Sequence, residues 1–108
     1  SAQYKLGVMN EKGRGLSQNY MTAAKWYTLA AEQGNTLAQY NLGIMYSKGR
    51  GVIKDNVYAH MWWNIAASFG HKDASKKRDM VAKRITQTQL EQALNLAREC
   101  VRKKYKEC

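Results

Sequence analysis

Apolar residues recur along this chain at intervals of three and four, and glycine interrupts them at regular places. In the first stretch, Tyr4 and Val8 share one side of a helix and Leu6 and Met9 lie on another, because each helical residue advances about 100° around the axis. The alternation of apolar and polar positions that is typical of half-buried strands is absent. The pattern therefore predicts an all-α chain whose first helix has neighbours on two sides.

Glycine marks the turns between these helices. The segments 13–15 and 49–51, both Gly-Arg-Gly, separate two apolar stretches, and Gly34 and Gly70 follow the second stretch at a common place for a helix-ending glycine. The second helix of each pair is predicted to begin beside a residue that can accept hydrogen bonds from first-turn amides, Asn19 or Asp55. Each unit is thus expected to be an antiparallel helix hairpin.

The same pattern occurs twice, at an offset of 36 residues, so that residues 2–34 align with residues 38–70. The positions of the first unit that recur as identical residue types are Ala2, Gln3, Tyr4, Leu6, Gly7, Met9, Lys12, Gly13, Arg14, Gly15, Ala23, Trp26, Ala30, Ala31 and Gly34. A period of this size indicates a repeated supersecondary unit that buries its apolar face against its neighbours. The predicted fold is an α/α superhelix, or solenoid, with repeat 1 at 2–37 and repeat 2 at 38–73.

Residues 74–108 continue this repeat only in part. The Leu-Gly pair of the first two units is replaced by Arg78-Asp79, and the surrounding segment is dense in Lys and Arg, as the polar outer face of a terminal repeat would be. Thr86 and Gln89 have the spacing of a capping box at the start of a further helix. We expect a C-terminal capping helix hairpin that completes a single domain over residues 1–108.

Gly7 and Gly43 stand inside the first helix of each repeat, between polar or small positions. The missing side chain there would let a bulky residue of the paired helix, such as Trp26 or Trp62, approach closely. We therefore expect these two glycines to have a packing role.

The repeated pattern Ala-x-x-x-Leu-Gly, Gly-x-Gly and Ala-x-x-Trp-x-x-x-Ala-Ala-x-x-Gly resembles the Sel1-like repeat family over residues 2–70. Two positions depart from it: Asn10 replaces the aromatic that Tyr46 supplies in repeat 2, and Ser17 stands where the family often has proline. The resemblance implies a right-handed superhelix related to tetratricopeptide repeats. It also implies an adaptor that binds other proteins in signalling, secretion, envelope maintenance or host interaction.

The similarity to tetratricopeptide repeats implies that the first helix of each unit lines a concave binding side. The candidate contacts there are Tyr4, Val8, Glu11, Lys12, Tyr40, Ile44, Ser47 and Lys48. The alternative for the four apolar or aromatic members is packing between repeats, and this alternative stays open. A groove of this length suits a peptide, a helix or another copy of a longer array.

The net charge of +10 supports a competing function, binding of nucleic acid or of an anionic envelope surface. Residues 1–70 carry +4 and residues 71–108 carry +6, so the excess is greater per residue at the C-terminal end. The chain has no RNA-binding sheet motif, zinc-finger spacing or helix-turn-helix pattern, and its three tryptophans occupy repeat positions. We therefore expect a protein partner rather than nucleic acid.

Residue combinations that catalysis or a metal ion requires are not found. None of the five serines begins a Ser-x-x-Lys motif, and His60 and His71 lack the His-Glu-x-x-His spacing of a metal helix. The segment 13–15 is not a phosphate loop, because no strand precedes it and no Gly-Lys-Ser/Thr follows. We expect no enzyme activity, no cofactor and no metal.

Cys100 and Cys108 are the two cysteines. On one unbroken helix their separation would be about 12 Å, beyond the roughly 7 Å that a disulfide spans, so a bridge requires the chain to turn back. The Cys-x7-Cys spacing is similar to that of cysteine-rich secreted Sel1 proteins, although there the bridge joins two helices of a hairpin. This favours a disulfide and a periplasmic or secreted bacterial protein, with reduced thiols and the cytoplasm as the alternative.

No apolar stretch approaches the roughly 20 residues of a membrane span.

Overall fold

The computed structural model describes residues 1–13 and 18–108, and these residues form helices and turns without any strand. The helices are α1 (Ala2–Lys12), α2 (Tyr20–Glu32), α3 (Thr36–Lys48), α4 (Asn56–Ser68), α5 (Lys72–Ala82) and α6 (Gln87–Arg102). The all-α prediction is confirmed. Most of the predicted turn at 13–15 and the family departure at Ser17 lie outside the described residues.

The helix ends follow from local sequence. Asn19 and Asp55 accept hydrogen bonds from first-turn amides of α2 and α4 at 2.9–3.1 Å, as predicted. Thr86 and Gln89 form the reciprocal capping box that their spacing indicates. Gly49 ends α3 in the left-handed conformation, with φ 68°, which a residue without a Cβ adopts at little cost.

Helices α1 to α5 stack in chain order, and with α6 they form an elongated body of 42 × 25 × 24 Å. Helix α2 packs against both α1 and α3, and α4 packs against both α3 and α5. The predicted capping helix pair is present, and both of its helices lie on α4: α6 has its main contacts with α4 rather than with α5. Helix α4 is therefore the centre of the C-terminal half.

Two hydrophobic clusters hold the stack together. The larger cluster joins α2, α3, α4 and α6, and its largest fully buried side chains are Tyr27, Leu42, Met45, Met61, Ile65 and Cys100. The smaller cluster joins α4 to α5 through Ala59, Trp63, Ala66, Ala74 and Val81. Burial of this apolar surface against successive neighbours is what a single hairpin could not achieve alone.

The glycines inside α1 and α3 make room for aromatic rings, which confirms their packing role. A Cβ on Gly7 would lie 2.6 Å from two carbons of the Tyr27 ring, and a Cβ on Gly43 would overlap the indole Nε1 of Trp63. No side chain fits at such distances. The rings lie against bare helix backbone.

The identity of these rings differs from the expectation. The sequence predicts Trp26 and Trp62, which are identical in both repeats, at these contacts, but the rings in contact belong to the next position along the helix. That position is Tyr27 in repeat 1 and Trp63 in repeat 2. One residue is about 100° of helix rotation, so the residue one position later presents a different face.

After α6 the chain turns back and runs over the end of α2. A disulfide joins Cys100 to Cys108, whose Cα atoms are 5.3 Å apart. The amide of Tyr105 donates to the carbonyl of Cys100 at 2.8 Å, and Lys106 Nζ donates to the carbonyl of Glu32 at 3.0 Å. The bridge therefore fixes the tail to α6 and places it on repeat 1, instead of joining two helices of one hairpin.

Replacing Gly43 with alanine tests the ring contact. Alanine at a helix-interior glycine is ordinarily stabilising by about 1 kcal/mol. Because the added Cβ overlaps the Trp63 indole, we expect Gly43→Ala to lower the free energy of unfolding by about 1–3 kcal/mol, measured by urea denaturation. In a Trp63→Phe background, where the indole N–H is absent, the loss caused by Gly43→Ala should shrink. An equal loss in both backgrounds would contradict this account.

Removal of the disulfide should destabilise the chain. Closing a loop between residues eight apart contributes about 2.5 kcal/mol in the chain-entropy treatment. We expect Cys100→Ala/Cys108→Ala to lose about that much in guanidinium unfolding and to lose hydrogen-exchange protection at the Tyr105 amide. Dithiothreitol should destabilise the native chain and leave the double variant unchanged. Equal stability of the two proteins would show that the bridge is dispensable.

Candidate protein-interaction surface

The four candidates on α1 take part mostly in packing. Tyr4 and Val8 are half-buried against the larger cluster, and the Tyr4 ring centroid lies 5.8 Å from that of Tyr27. The Tyr27 hydroxyl donates to the Glu11 carboxylate at 2.6 Å. Burial, together with this carboxylate, raises the pKa of Tyr27, so its phenol stays protonated as the donor. Lys12 is exposed at the end of the helix.

The aromatic and apolar candidates on α3 likewise contact their neighbours. Tyr40 and Ile44 are half-buried against the smaller cluster, which belongs to α4 and α5. The Tyr40 ring stacks on His71 with centroids 4.3 Å apart, and the Tyr40 carbonyl accepts the Trp63 indole N–H at 3.1 Å. Much of the surface of these two residues is therefore used for packing against the next unit, which is the alternative that the sequence leaves open.

Ser47 and Lys48, the last two candidates, lie at a cleft of about 300 Å³ between α3 and α5. We call it the α3–α5 cleft. Its apolar part consists of Trp63 from α4 and of Met80 and Val81 from α5. The indole of Trp63 is only 4% exposed, whereas Met80 is 57% exposed. The cleft therefore has a fixed floor and one adaptable side chain at its edge.

Four cationic side chains line the same cleft: Lys48, Lys54, Lys77 and Arg84. No carboxylate lines it, and among the described residues the ion pairs are Arg78–Asp79 and Arg102–Glu99, so none of the four is neutralised by a pair. The nearest acidic residue along the chain, Asp55, uses its carboxylate to cap α4. The cleft consequently carries a positive potential.

Sequence reasoning did not identify the part of this cleft that α5 supplies. From its sequence, the Lys- and Arg-rich segment is expected to form the outer face of a cap. Continuing the offset of 36 places Met80 at the position of Ile44 and Arg84 at the position of Lys48. The 36-residue period alone would therefore have pointed to α5, because α5 continues the positions that the candidate residues occupy in repeats 1 and 2.

The tryptophans are poorly placed to stack on nucleic-acid bases. Trp62 and Trp63 are 3% and 4% exposed, and the Trp63 indole N–H is already bonded to a backbone carbonyl. Trp26 is half-buried on α2. Base stacking needs an open aromatic face, and neither indole of α4 offers one.

The histidines have structural surroundings. His71 Nδ1 accepts the amide of Ala74 at 3.1 Å and caps α5. His60 is buried in α4, where burial and the nearby Arg78 lower its pKa and Asp79 opposes the shift. Within 1–13 and 18–108, no group of three or more His, Cys, Asp and Glu residues is placed to hold a metal ion.

None of the helices in the described segments is long and apolar enough to cross a membrane.

Comparison with known proteins gives a consistent likeness. A sequence model of the Sel1 repeat matches residues 1–35 and 36–71. The structure is similar to a protective antigen of uropathogenic Escherichia coli strains that displays an SLR fold, with 35% identity and a TM-score of 0.92 over 96% of this chain and 22% of that one. It is also similar to a Sel1 repeat protein from Oxalobacter formigenes, with 42% identity and a TM-score of 0.71 over 72% of this chain and 59% of that one. A search of curated proteins gives no match.

This chain thus spans about a fifth of the first similar structure and about three fifths of the second.

The buried His60 should make stability depend on pH. Its folded pKa lies below the ordinary value of 6.5, so near and below that pH the unfolded chain binds a proton that the folded chain does not. The free energy of unfolding should therefore fall as the pH drops from neutrality through the ordinary histidine range, measured by urea denaturation. His60→Gln should remove most of this loss, whereas His71→Asn, which keeps a capping acceptor, should retain it. Identical pH profiles for the native chain and His60→Gln would contradict the assignment.

Proposed function

This chain belongs to the Sel1 repeat family, and from that premise we propose that it is a protein-interaction module that holds a peptide or helix of another protein along α1, α3 and α5. Sel1 repeat proteins are generally interaction modules. The proposal for this chain adds the location of the contact, which is the α3–α5 cleft. The described residues form this cleft where two repeat units meet, and Lys48 and Arg84, which occupy the same position of the two units, both line it.

The α3–α5 cleft is the observation that carries the proposal. It combines an apolar floor with polar and charged walls, which is the composition of a surface that receives side chains of a partner. Of the original candidates, Ser47 and Lys48 line it directly. Tyr40 and Ile44 do not line the cleft but pack against the smaller cluster, which contains its floor residues Trp63 and Val81.

We propose a binding role without catalysis. The side chains that ordinarily serve catalysis have structural partners here: His71 caps a helix, Glu11 accepts from Tyr27, and both cysteines are joined to each other. His60 is buried away from solvent. These uses support an adaptor rather than an enzyme.

A second candidate function is binding of a polyanion, favoured by the four cations of the cleft that lack ion-pair partners. The buried indoles of Trp62 and Trp63 argue for protein over nucleic acid.

We further propose a periplasmic or secreted location, which the Cys100–Cys108 disulfide supports because such bridges persist in oxidising compartments.

Blocking the cleft tests the proposed function. Random peptides selected by phage display for binding to the chain should shift the backbone amide signals of Ser47, Lys48 and Lys77 in NMR spectra. We expect Ser47→Trp, which fills the cleft, to reduce the affinity of these peptides at least about tenfold, because one lost anchor contributes about 1–2 kcal/mol. Gln92→Trp, which adds the same ring on exposed α6, is the matched control and should leave the affinity unchanged.

Circular dichroism and urea unfolding of both tryptophan variants establish that each is folded. Peptides that bind equally well to Ser47→Trp, or that shift signals only elsewhere, would place the binding surface outside the cleft.

A further inference from the structure

We infer that the α3–α5 cleft recognises an acidic segment of a partner protein that carries an apolar side chain between its carboxylates. The inference rests on the proposed function and specifies the chemistry of the partner. Three features of the described residues lead to it: the unpaired cations of the cleft, their position in the repeat, and the apolar floor beneath them.

The first feature is the concentration of like charge. Lys48, Lys54, Lys77 and Arg84 line one cleft of about 300 Å³ with no carboxylate among its lining residues. Mutual repulsion of neighbouring cations is unfavourable, and an anionic ligand relieves it while gaining attraction from all four. Asp55 lies next to Lys54 at the edge of the cleft, but its carboxylate accepts the amides of Val57 and Tyr58 at the start of α4 and forms no ion pair with the four cations.

The second feature is the periodicity of the charge. Lys12, Lys48 and Arg84 occupy the same position of three successive units, 36 residues apart, near the C-terminal end of α1, α3 and α5. A cation at this place is favourable for each helix by itself, because it complements the helix dipole. That effect does not account for Lys54, which precedes α4, or for Lys77, which lies in the middle of α5. These two lysines point to a ligand.

The third feature is the apolar surface between the cations. Met80 is 57% exposed beside Val81 and the indole of Trp63, and all three line the cleft. An apolar side chain from the ligand would cover this surface, and the flexible thioether of Met80 can adapt to its shape. A ligand with charge alone would leave Met80 in water. The combination favours carboxylates that flank an apolar residue.

A protein segment fits these features better than nucleic acid does. Single strands gain much of their affinity from bases that stack on exposed aromatic rings. The aromatic residue of the cleft, Trp63, is 4% exposed and donates its N–H to the Tyr40 carbonyl. Trp63 therefore contributes apolar surface to the floor of the cleft, but it has no open ring face on which a base could stack.

Synthetic peptides test the inference directly. The probe is a fluorescein-labelled peptide of about twelve residues, which extended would span the 42 Å long axis, with Glu-Asp pairs on both sides of a central Leu. One comparison peptide carries Gln and Asn in place of the acids, and another carries Ser in place of Leu. An oligothymidylate of the same length reports nucleic-acid binding. Affinities are measured by fluorescence anisotropy at low and at physiological salt.

We expect the acidic peptide to bind more tightly than either comparison peptide and than the oligothymidylate. Lys48→Gln/Lys77→Gln should weaken its binding about fivefold or more, since two attractive charge pairs with the peptide are lost. Lys25→Gln/Lys104→Gln changes the net charge equally on exposed positions outside the cleft and should change the affinity less than about twofold. Arg84→Gln provides an independent single variant of the cleft and should weaken binding in the same direction.

The outcomes separate this inference from the proposed function. Equal binding of the acidic and the amide peptides, or an equal effect of the two lysine pairs, overturns the acidic specificity. If displayed peptides still depend on Ser47 in that case, the interaction function stands and only the partner chemistry is wrong. Tighter binding of oligothymidylate that is weakened by Lys48→Gln/Lys77→Gln assigns the cleft to nucleic acid and overturns the inference.

Discussion

The contact between an aromatic ring and the bare backbone of a neighbouring helix sets the geometry of each repeat. Because Gly7 and Gly43 have no side chain, the rings of Tyr27 and Trp63 lie directly on α1 and α3. In repeat 2 the indole N–H also bonds to the Tyr40 carbonyl, so the ring is fixed in orientation as well as in depth. The close approach of the two helices of a hairpin depends on this contact.

The same indole connects the packing of the fold to its candidate site. Trp63 belongs to the smaller cluster that joins α4 to α5, and it also lines the α3–α5 cleft. Helix α4 thus supports the surface while α3 and α5 supply its walls. A shift of α4 relative to α3 would change the depth of the cleft. Because Gly43 has no Cβ, the Trp63 indole packs directly on the backbone of α3, and this contact opposes such a shift.

Local features of the fold could be predicted from the sequence because their causes are local. Caps at Asn19, Asp55 and Thr86 depend on side chains within three residues of the helix start, and the helix hairpins depend on a visible period. The position of the contacting rings does not follow from identity between the repeats, because the identical aromatic residues of the second helices are the tryptophans at 26 and 62. The position that contacts glycine is conserved only as an aromatic type, Tyr27 in one unit and Trp63 in the other.

Two other features have weaker signals in the sequence. The α5 wall of the cleft was hidden by the loss of the Leu-Gly pair, although the register of Met80 and Arg84 continues the period. The path of the tail has no sequence signal of its own. Lys104, Tyr105 and Glu107 adopt positive φ values of 54–67° without being glycine, so the usual marker of a left-handed turn is absent. Only the requirement that a Cys100–Cys108 bridge must reverse the chain pointed towards it.

The segment after α6 gives these stacked helices a property that repeat stacks ordinarily lack. In such stacks each unit contacts only its neighbours, so the ends can fray and unfolding can proceed one unit at a time. Here Lys106 and Glu107 bond to Glu32, across 74 and 75 residues of sequence, and the disulfide keeps them in place. The last segment is thereby tied to the first repeat, and the chain gains the long-range coupling of a globular domain. We expect that loosening of α2 or of the tail weakens the other, which favours a single cooperative transition.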